Sequence, residues 1–206
     1  MTRDEMLADL NYARTLAEEG RHAPLLGGAY LIFWGVLNAL AFGTQFALLQ
    51  GYLPVLEGAA FALLWGGYGF AAAVGMTWLR MRIRGKPGLT TIGARTERAV
   101  WMGAGMAVFA VALGSIARMI VTQDPSAPNA IFGAAFALYG AALVAVSMMS
   151  EQTWLRAFGW LAISVAGTLC LFANENWSYV VACIGSLLVL AWPGLVLLKR
   201  EPSAIG

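Results

Sequence analysis

The stretch from Leu79 to Trp101, LRMRIRGKPGLTTIGARTERAVW, holds Arg80, Arg82, Arg84, Lys86, Arg95 and Arg98, in a chain with 13 basic residues in all. Apolar runs flank it, from Pro54 to Leu79 before and from Ala99 to Val121 after. Each is long enough to carry a helix across hydrocarbon, which takes roughly 20 residues for ~30 Å. Lys and Arg resist translocation, so a basic stretch between two such runs reads as a loop kept in the cytoplasm. Gly85-Lys86-Pro87-Gly88 supplies the turn chemistry that a loop needs.

Four further apolar runs follow the same logic: 24–49, 130–149, 154–173 and 177–198. The connections between them are short and turn-like: Gln50-Gly51, Asp124-Pro125-Ser126-Ala127-Pro128 and Asn174-Glu175-Asn176. The expected fold is therefore all-α: a polytopic membrane bundle of six transmembrane helices over 24–198, with a short tail at 199–206. Composition agrees, since the chain is 60% hydrophobic and 12% charged, about half the charge of a soluble domain. Alternating outward from the basic loop puts both ends of the chain in the cytoplasm. The inner side then collects Arg3, Arg14, Arg21, Arg80, Arg82, Arg84, Lys86, Arg95, Arg98, Arg156, Lys199 and Arg200, and the outer side only Arg118. Trp78, Trp101 and Trp154 fall at the inner boundary and Tyr52, Trp177 and Tyr179 at the outer one, where amphipathic rings prefer to sit. Trp34, Trp65, Trp160 and Trp192 lie deeper and are expected to pack.

Residues 1–23 read as a cytoplasmic amphipathic helix. Thr2 and Glu5 fit a capping box, and Met6, Leu10, Ala13 and Ala17 form an apolar stripe. Asp4, Glu5, Asp9, Glu18 and Glu19 on its polar face have the wrong sign for an anionic lipid surface. The helix is expected to lie against the chain's own basic loop or a partner. The same acids argue against a cleavable signal peptide, which begins with a basic region.

Several function classes lose support. A net charge of +2 gives no reason to expect a nucleic-acid partner. His22 is the only histidine and the two cysteines, Cys170 and Cys183, sit in apolar runs on either side of one turn, so neither a metal site nor a disulfide framework is expected. No carboxylate lies at mid-membrane, and no nucleophile elbow or nucleotide-binding loop is present. Neither enzymatic activity nor a cofactor is expected. Arginine accounts for eleven of the basic residues, and alanine and glycine abound, as in proteins of GC-rich bacteria, which points to a bacterial inner membrane.

Four features remain as candidates for function. Asn38 and Gln45 lie seven apart on one face of the first span, where their amides either line a polar path or bond neighbouring helices. Arg118 has Glu57 and Glu175 at its expected level, and with Glu57 it could form an outer gate; snorkelling to the headgroups is the simpler explanation. Pro193, in Trp192-Pro193-Gly194, should kink the last span and is a hinge candidate. Gly103, Ala107, Ala110 and Gly114 form a small-residue stripe on the third span, continued by Ala117, and the fourth span has Ala130, Ala134, Ala137, Ala141 and Ala145. Such stripes usually pack a bundle's own interior; the alternative is an interface with a second copy or a different membrane protein. Gly58–Leu63 also recurs verbatim as Gly133–Leu138, and Gly28-Ala29…Gly35 resembles Gly133-Ala134…Gly140, which raises a 3+3 inverted repeat.

Two functions are compatible with these residues. One is a non-enzymatic accessory, sensor or scaffold subunit of a membrane complex, surrounded by lipid and a protein partner. The other is a small transporter or channel with a path near Asn38 and Gln45 and a gate at Arg118 and Glu57. Under the topology above, a reporter enzyme fused after Asp124 should be active outside the cytoplasm and one fused after Lys86 inside it. The reverse pattern would overturn the orientation.

Overall fold

The computed structural model describes residues 5–7, 10–12, 25, 27–53, 59–84, 89 and 91–200. Six helices long and apolar enough to cross a membrane make up the described chain: α1 Gly28–Leu49, α2 Ala59–Ile83, α3 Ile92–Thr122, α4 Ala130–Met149, α5 Thr153–Leu171 and α6 Ser178–Arg200. The protein is an all-α, multi-pass membrane bundle. A single 3₁₀ turn, Ala127–Asn129, leads into α4. Before α1, residues 5–7 and 10–12 are helical, with Met6, Leu7, Leu10 and Tyr12 exposed; the rest of the N-terminal amphipathic helix lies outside the described residues.

Helix ends depart from the hydropathy limits most at α3. It has 31 residues, about 46 Å at 1.5 Å per residue, and begins seven residues before Ala99. Thr91 causes this, its hydroxyl accepting a hydrogen bond from the Ala94 amide at 3.3 Å and so capping an extra two turns. Those turns carry Arg95 and Arg98. Apolar runs mark the membrane-embedded part of a helix and say little about its caps.

Two helix pairs form the core, and both depend on glycine notches. Along α1 and α6, a Cβ on Gly35 would come within 2.5 Å of the Ala191 amide nitrogen, and one on Gly194 within 2.8 Å of the Gly28 carbonyl oxygen. Between α4 and α5, a Cβ on Gly140 would stand 2.7 Å from the Gly159 carbonyl oxygen, and one on Gly159 3.0 Å from that of Gly140. Backbone thus meets backbone, the close approach by which membrane helices gain dispersion contact. Around the notches Phe136, Leu143, Leu155, Leu169, Val189 and Leu190 are almost wholly buried.

The kink expected at Pro193 takes a specific form. Proline offers no amide hydrogen, and its ring crowds the carbonyl four residues back. The turn before it, Leu187–Ala191, widens to a π-helix, and the Trp192 amide reaches the Leu187 carbonyl. Ala191, at the end of that widened turn, is the residue that fills the notch at Gly35. Pro193 itself is buried, so the distortion is clamped between helices.

α2 and α3 are different. Buried residues of α2 are Leu79 and Ile83, and those of α3 are Ala94, Glu97 and Ala104, all toward the α2–α3 connection. α2 packs mainly on α1 and α3 mainly on α4, and the two barely touch each other. Added Cβ atoms at Gly66, Gly67, Gly69, Gly103, Gly105 and Gly114 would meet nothing within 4 Å. The stripe of Gly103, Ala107, Ala110 and Gly114 therefore does not pack the bundle interior, contrary to the commoner use of such stripes. The α4 alanines fare similarly: Ala130, Ala137 and Ala141 are exposed, while Phe132, Gly133, Phe136, Gly140 and Leu143 face the core.

Neighbour relations have a two-fold character, with α1 between α2 and α6 and α4 between α5 and α3. Yet Gly35 packs on α6 and Gly140 on α5, which are not equivalent positions under exchange of halves. The matching glycines thus give no support to duplication, and Gly58 of the hexapeptide lies outside the described residues. Replacing Gly35 or Gly140 by alanine should lower the melting temperature of the purified protein, since overpacking a tight contact costs about 1–3 kcal/mol. Gly103→Ala and Gly114→Ala should leave it unchanged or slightly raised. Equal effects at all four sites would show that the notches do not hold the fold.

Candidate functional site

Asn38 stands halfway along α1, where an unpaired amide is costly. It is buried, and its carbonyl oxygen accepts a hydrogen bond from the Tyr68 hydroxyl of α2 at 2.7 Å. One amide thus joins α1 to α2. About two turns outward, the Gln45 carbonyl oxygen accepts from the Trp65 indole N–H of α2 at 2.6 Å, and its amide donates to the Tyr179 hydroxyl of α6 at 3.1 Å. The Tyr179 hydroxyl in turn donates to the amide oxygen of Asn129, at the entrance to α4, at 2.9 Å.

Aromatic rings fill the space around these bonds. Trp34 lies 6.3 Å from Tyr68, Trp65 lies 5.3 Å from Tyr68 and 6.2 Å from Phe42, and Phe42 meets Phe132 at 5.0 Å. On the far side Trp101 of α3 reaches Tyr139 at 6.5 Å. Large side chains with a polar tip span the gaps where no glycine notch brings backbones together. They attach α2 and α3 to the core at a distance. No buried side-chain nitrogen or oxygen among the described residues lacks a hydrogen-bond partner.

Asn38 and Gln45 hold two separate hydrogen-bonded clusters on one face of α1, linked through the ring contact of Trp65 with Tyr68. Sequence reading missed their partners Tyr68, Trp65 and Tyr179, because helical periodicity identifies a face but not what stands opposite. Tyr179, expected as an interfacial anchor, is instead buried within the network. Trp160 and Trp192, expected to pack, are exposed, facing the hydrocarbon of a spanning bundle. Cys170 lies against Gly133 of α4 and Cys183 near Gly43 of α1, so the two cysteines look to different neighbours.

Arg118 sits about one turn before the end of α3 and is exposed. Glu57 lies outside the described residues, so the outer gate has no geometry here. A different acid is close enough to feel Arg118, Asp124 in the connection to α4. Ser126 donates to one Asp124 carboxylate oxygen from its hydroxyl at 2.6 Å and from its amide at 2.9 Å. Those two bonds, with Arg118 adding to them, hold the Asp124 carboxyl below the usual carboxylate range. They shape a tight turn, and Gln123 before it adopts the left-handed conformation that ends α3.

The end of the bundle at the α2–α3 connection holds a feature with no counterpart in the sequence reading. Glu97 is only 5% exposed, although it belongs to the basic stretch. Its carboxylate lies against Gly27, just before α1, where a Cβ would collide with it. A carboxylate at a helix N-terminus is favoured by the helix dipole and the exposed amides there. This acid joins the first turns of α3 to the start of α1, at the end of the bundle where Leu79, Ile83 and Ala94 are also buried. At the same end Arg200 lies over the Trp154 ring, 5.4 Å from its centroid, and its guanidinium donates to Gln152 at 3.2 Å. The last residues of α6 and the α4–α5 connection therefore share one face of the bundle.

No protein-family model, curated protein or solved structure matches the chain.

If the Asn38 network ties helices together, Asn38→Ala and Tyr68→Phe should be coupled in a double-mutant cycle of thermal stability. The expected coupling is about 0.6 kcal/mol, up to about 1.7 kcal/mol. Additive losses would show that the bond does not join α1 to α2 in the membrane.

Proposed function

We propose that this chain is a non-enzymatic accessory, sensor or scaffold subunit of a membrane complex, in a bacterial inner membrane with both ends in the cytoplasm. The observation that carries this reading is the state of Asn38 and Gln45. A conduction path would need their amides to face water or a solute. Both are bonded to side chains of neighbouring helices, which is what a static bundle requires. The hinge candidate is likewise engaged, with Pro193 buried and the π turn set into the notch at Gly35. α2 and α3, by contrast, bring long apolar faces with open glycines to the periphery. Small-residue faces let a further helix approach closely, and α2 and α3 are the partner-facing helices in this reading. The one-sided arrangement of Arg80, Arg82, Arg84, Arg95, Arg98, Arg156, Lys199 and Arg200 at helix ends opposite Arg118 supports the orientation.

Single cysteines at Phe70 on α2 and Phe109 on α3, in a chain with Cys170 and Cys183 replaced by alanine, test the reading in native membranes. Short bifunctional crosslinkers should yield a discrete adduct from these positions and none from Trp160 or Leu171 on α5. Solute flux by the purified protein in liposomes, abolished by Asn38→Leu, would overturn the scaffold reading in favour of a transporter.

A further inference from the structure

Trp65, Gln45, Tyr179 and Asn129 form a chain of hydrogen bonds that crosses from α2 through α1 and α6 to the start of α4. Each link runs the same way. The Trp65 indole donates to the Gln45 carbonyl oxygen, the Gln45 amide to the Tyr179 hydroxyl, and that hydroxyl to Asn129. An indole nitrogen can donate but never accept. Its proton therefore fixes which end of the Gln45 amide faces α2, and leaves the nitrogen end for Tyr179. With its oxygen accepting from Gln45, the Tyr179 hydroxyl turns its proton to Asn129. The direction of the whole chain is thus set at Trp65, on a helix that packs mainly on α1. Rings hold the middle of the chain in place, with Phe132 5.1 Å from Tyr179 and Phe42 6.2 Å from Trp65.

At the far end, Asn129 stands immediately before α4, where asparagine commonly caps a helix by accepting from a first-turn amide. Here it has helical backbone angles, φ −63° and ψ −23°, and its side chain makes no such bond. Its side-chain oxygen takes the Tyr179 hydrogen bond instead. Its backbone amide donates to the Ser126 carbonyl at 2.9 Å, within the 3₁₀ turn Ala127–Asn129. A cap needs extended backbone at that residue, which the turn does not allow. The Asn129 oxygen can therefore serve Tyr179 or α4, and the two uses demand different backbones.

We propose that this chain is a conformational switch between α2 and the α3–α4 connection. With Trp65 seated on Gln45, Tyr179 holds Asn129 and the 3₁₀ turn persists. When α2 moves away and Trp65 withdraws, the Gln45 amide is free to turn over and accept from Tyr179. Asn129 is then released to cap α4, and the 3₁₀ turn before it opens. The switch responds to whatever displaces α2, so it does not rest on the scaffold reading.

Hydrogen–deuterium exchange of the full chain in lipid nanodiscs, read on peptides covering 124–131, tests the switch. Trp65→Phe, Gln45→Met and Tyr179→Phe should each speed exchange there about three-fold, the factor that losing one average membrane hydrogen bond gives. Trp65→Phe combined with Tyr179→Phe should add nothing further, because either change alone opens the chain. Tyr68→Phe removes the Asn38 bond between α1 and α2, off the chain, and should leave these amides unchanged. Equal acceleration by Tyr68→Phe and Trp65→Phe would reduce the effect to a general loosening of α2 and overturn the switch. Acceleration by Trp65→Phe with none from Gln45→Met would place the coupling in ring packing and overturn it too. No change in any of the three variants would do the same. Gln45→Met and Tyr179→Phe decide the matter if the Trp65 variant does not fold.

Discussion

Lipid tails are as apolar as leucine, so the helices of this protein gain nothing by hiding apolar side chains from the solvent around them. Every contact between them must come from closer packing than lipid offers or from a polar bond that lipid cannot make. The chain uses both, in different places. Gly28, Gly35, Gly194, Gly140 and Gly159 bring backbones together in the α1–α6 and α4–α5 pairs. Asn38, Gln45 and their aromatic partners bridge the wider gaps to α2 and between the two pairs. The first mode is stiff, since a notch admits one depth of insertion. The second works through long side chains whose bonds average well under 1 kcal/mol each in membranes.

That difference divides the molecule. α1, α4, α5 and α6 form a tightly packed unit in which even the π turn before Pro193 is seated against a neighbour. α2 is attached to it by the Asn38–Tyr68 and Gln45–Trp65 hydrogen bonds, and α3 by Trp101 against Tyr139 and by Glu97 at Gly27. Beyond those points each presents bare helix outward. A helix that is anchored at one end and tethered by weak bonds is the element of a bundle most easily shifted by a ligand or partner, because little packing must be rebuilt. The free energy for such a shift can only come from different affinity for the two positions.

The number of spans and their embedded limits were legible in the apolar runs, because hydrocarbon thickness imposes a length that no neighbouring helix alters. The pairing of Asn38 with Gln45 was legible too, seven residues being two helical turns. Which small residues pack was not. Gly28 and Gly35 read as part of a possible repeat but serve as notches for α6, whereas Gly103 and Gly114 form the more regular stripe and meet nothing in the chain. Sequence spacing is identical for a notch and for an open face; only the partner distinguishes them. Glu97 was hidden for a related reason. Among five arginines and a lysine it reads as one more solvated charge, and its burial follows from the absence of a side chain at Gly27, seventy residues earlier in the chain.

The Gly27–Glu97 contact also sets the spacing of α1 and α3. Gly27 is the last residue before α1, so the carboxylate of α3 sits at the start of that helix. A larger side chain at position 27 would collide with Glu97 and take away the place in which it rests, and a buried carboxylate displaced from its partners is costly. Arg98 lies one residue away. The burial of Glu97 and the placement of Arg98 are thereby linked through a single glycine, and a larger residue at position 27 could not leave α3 where it is.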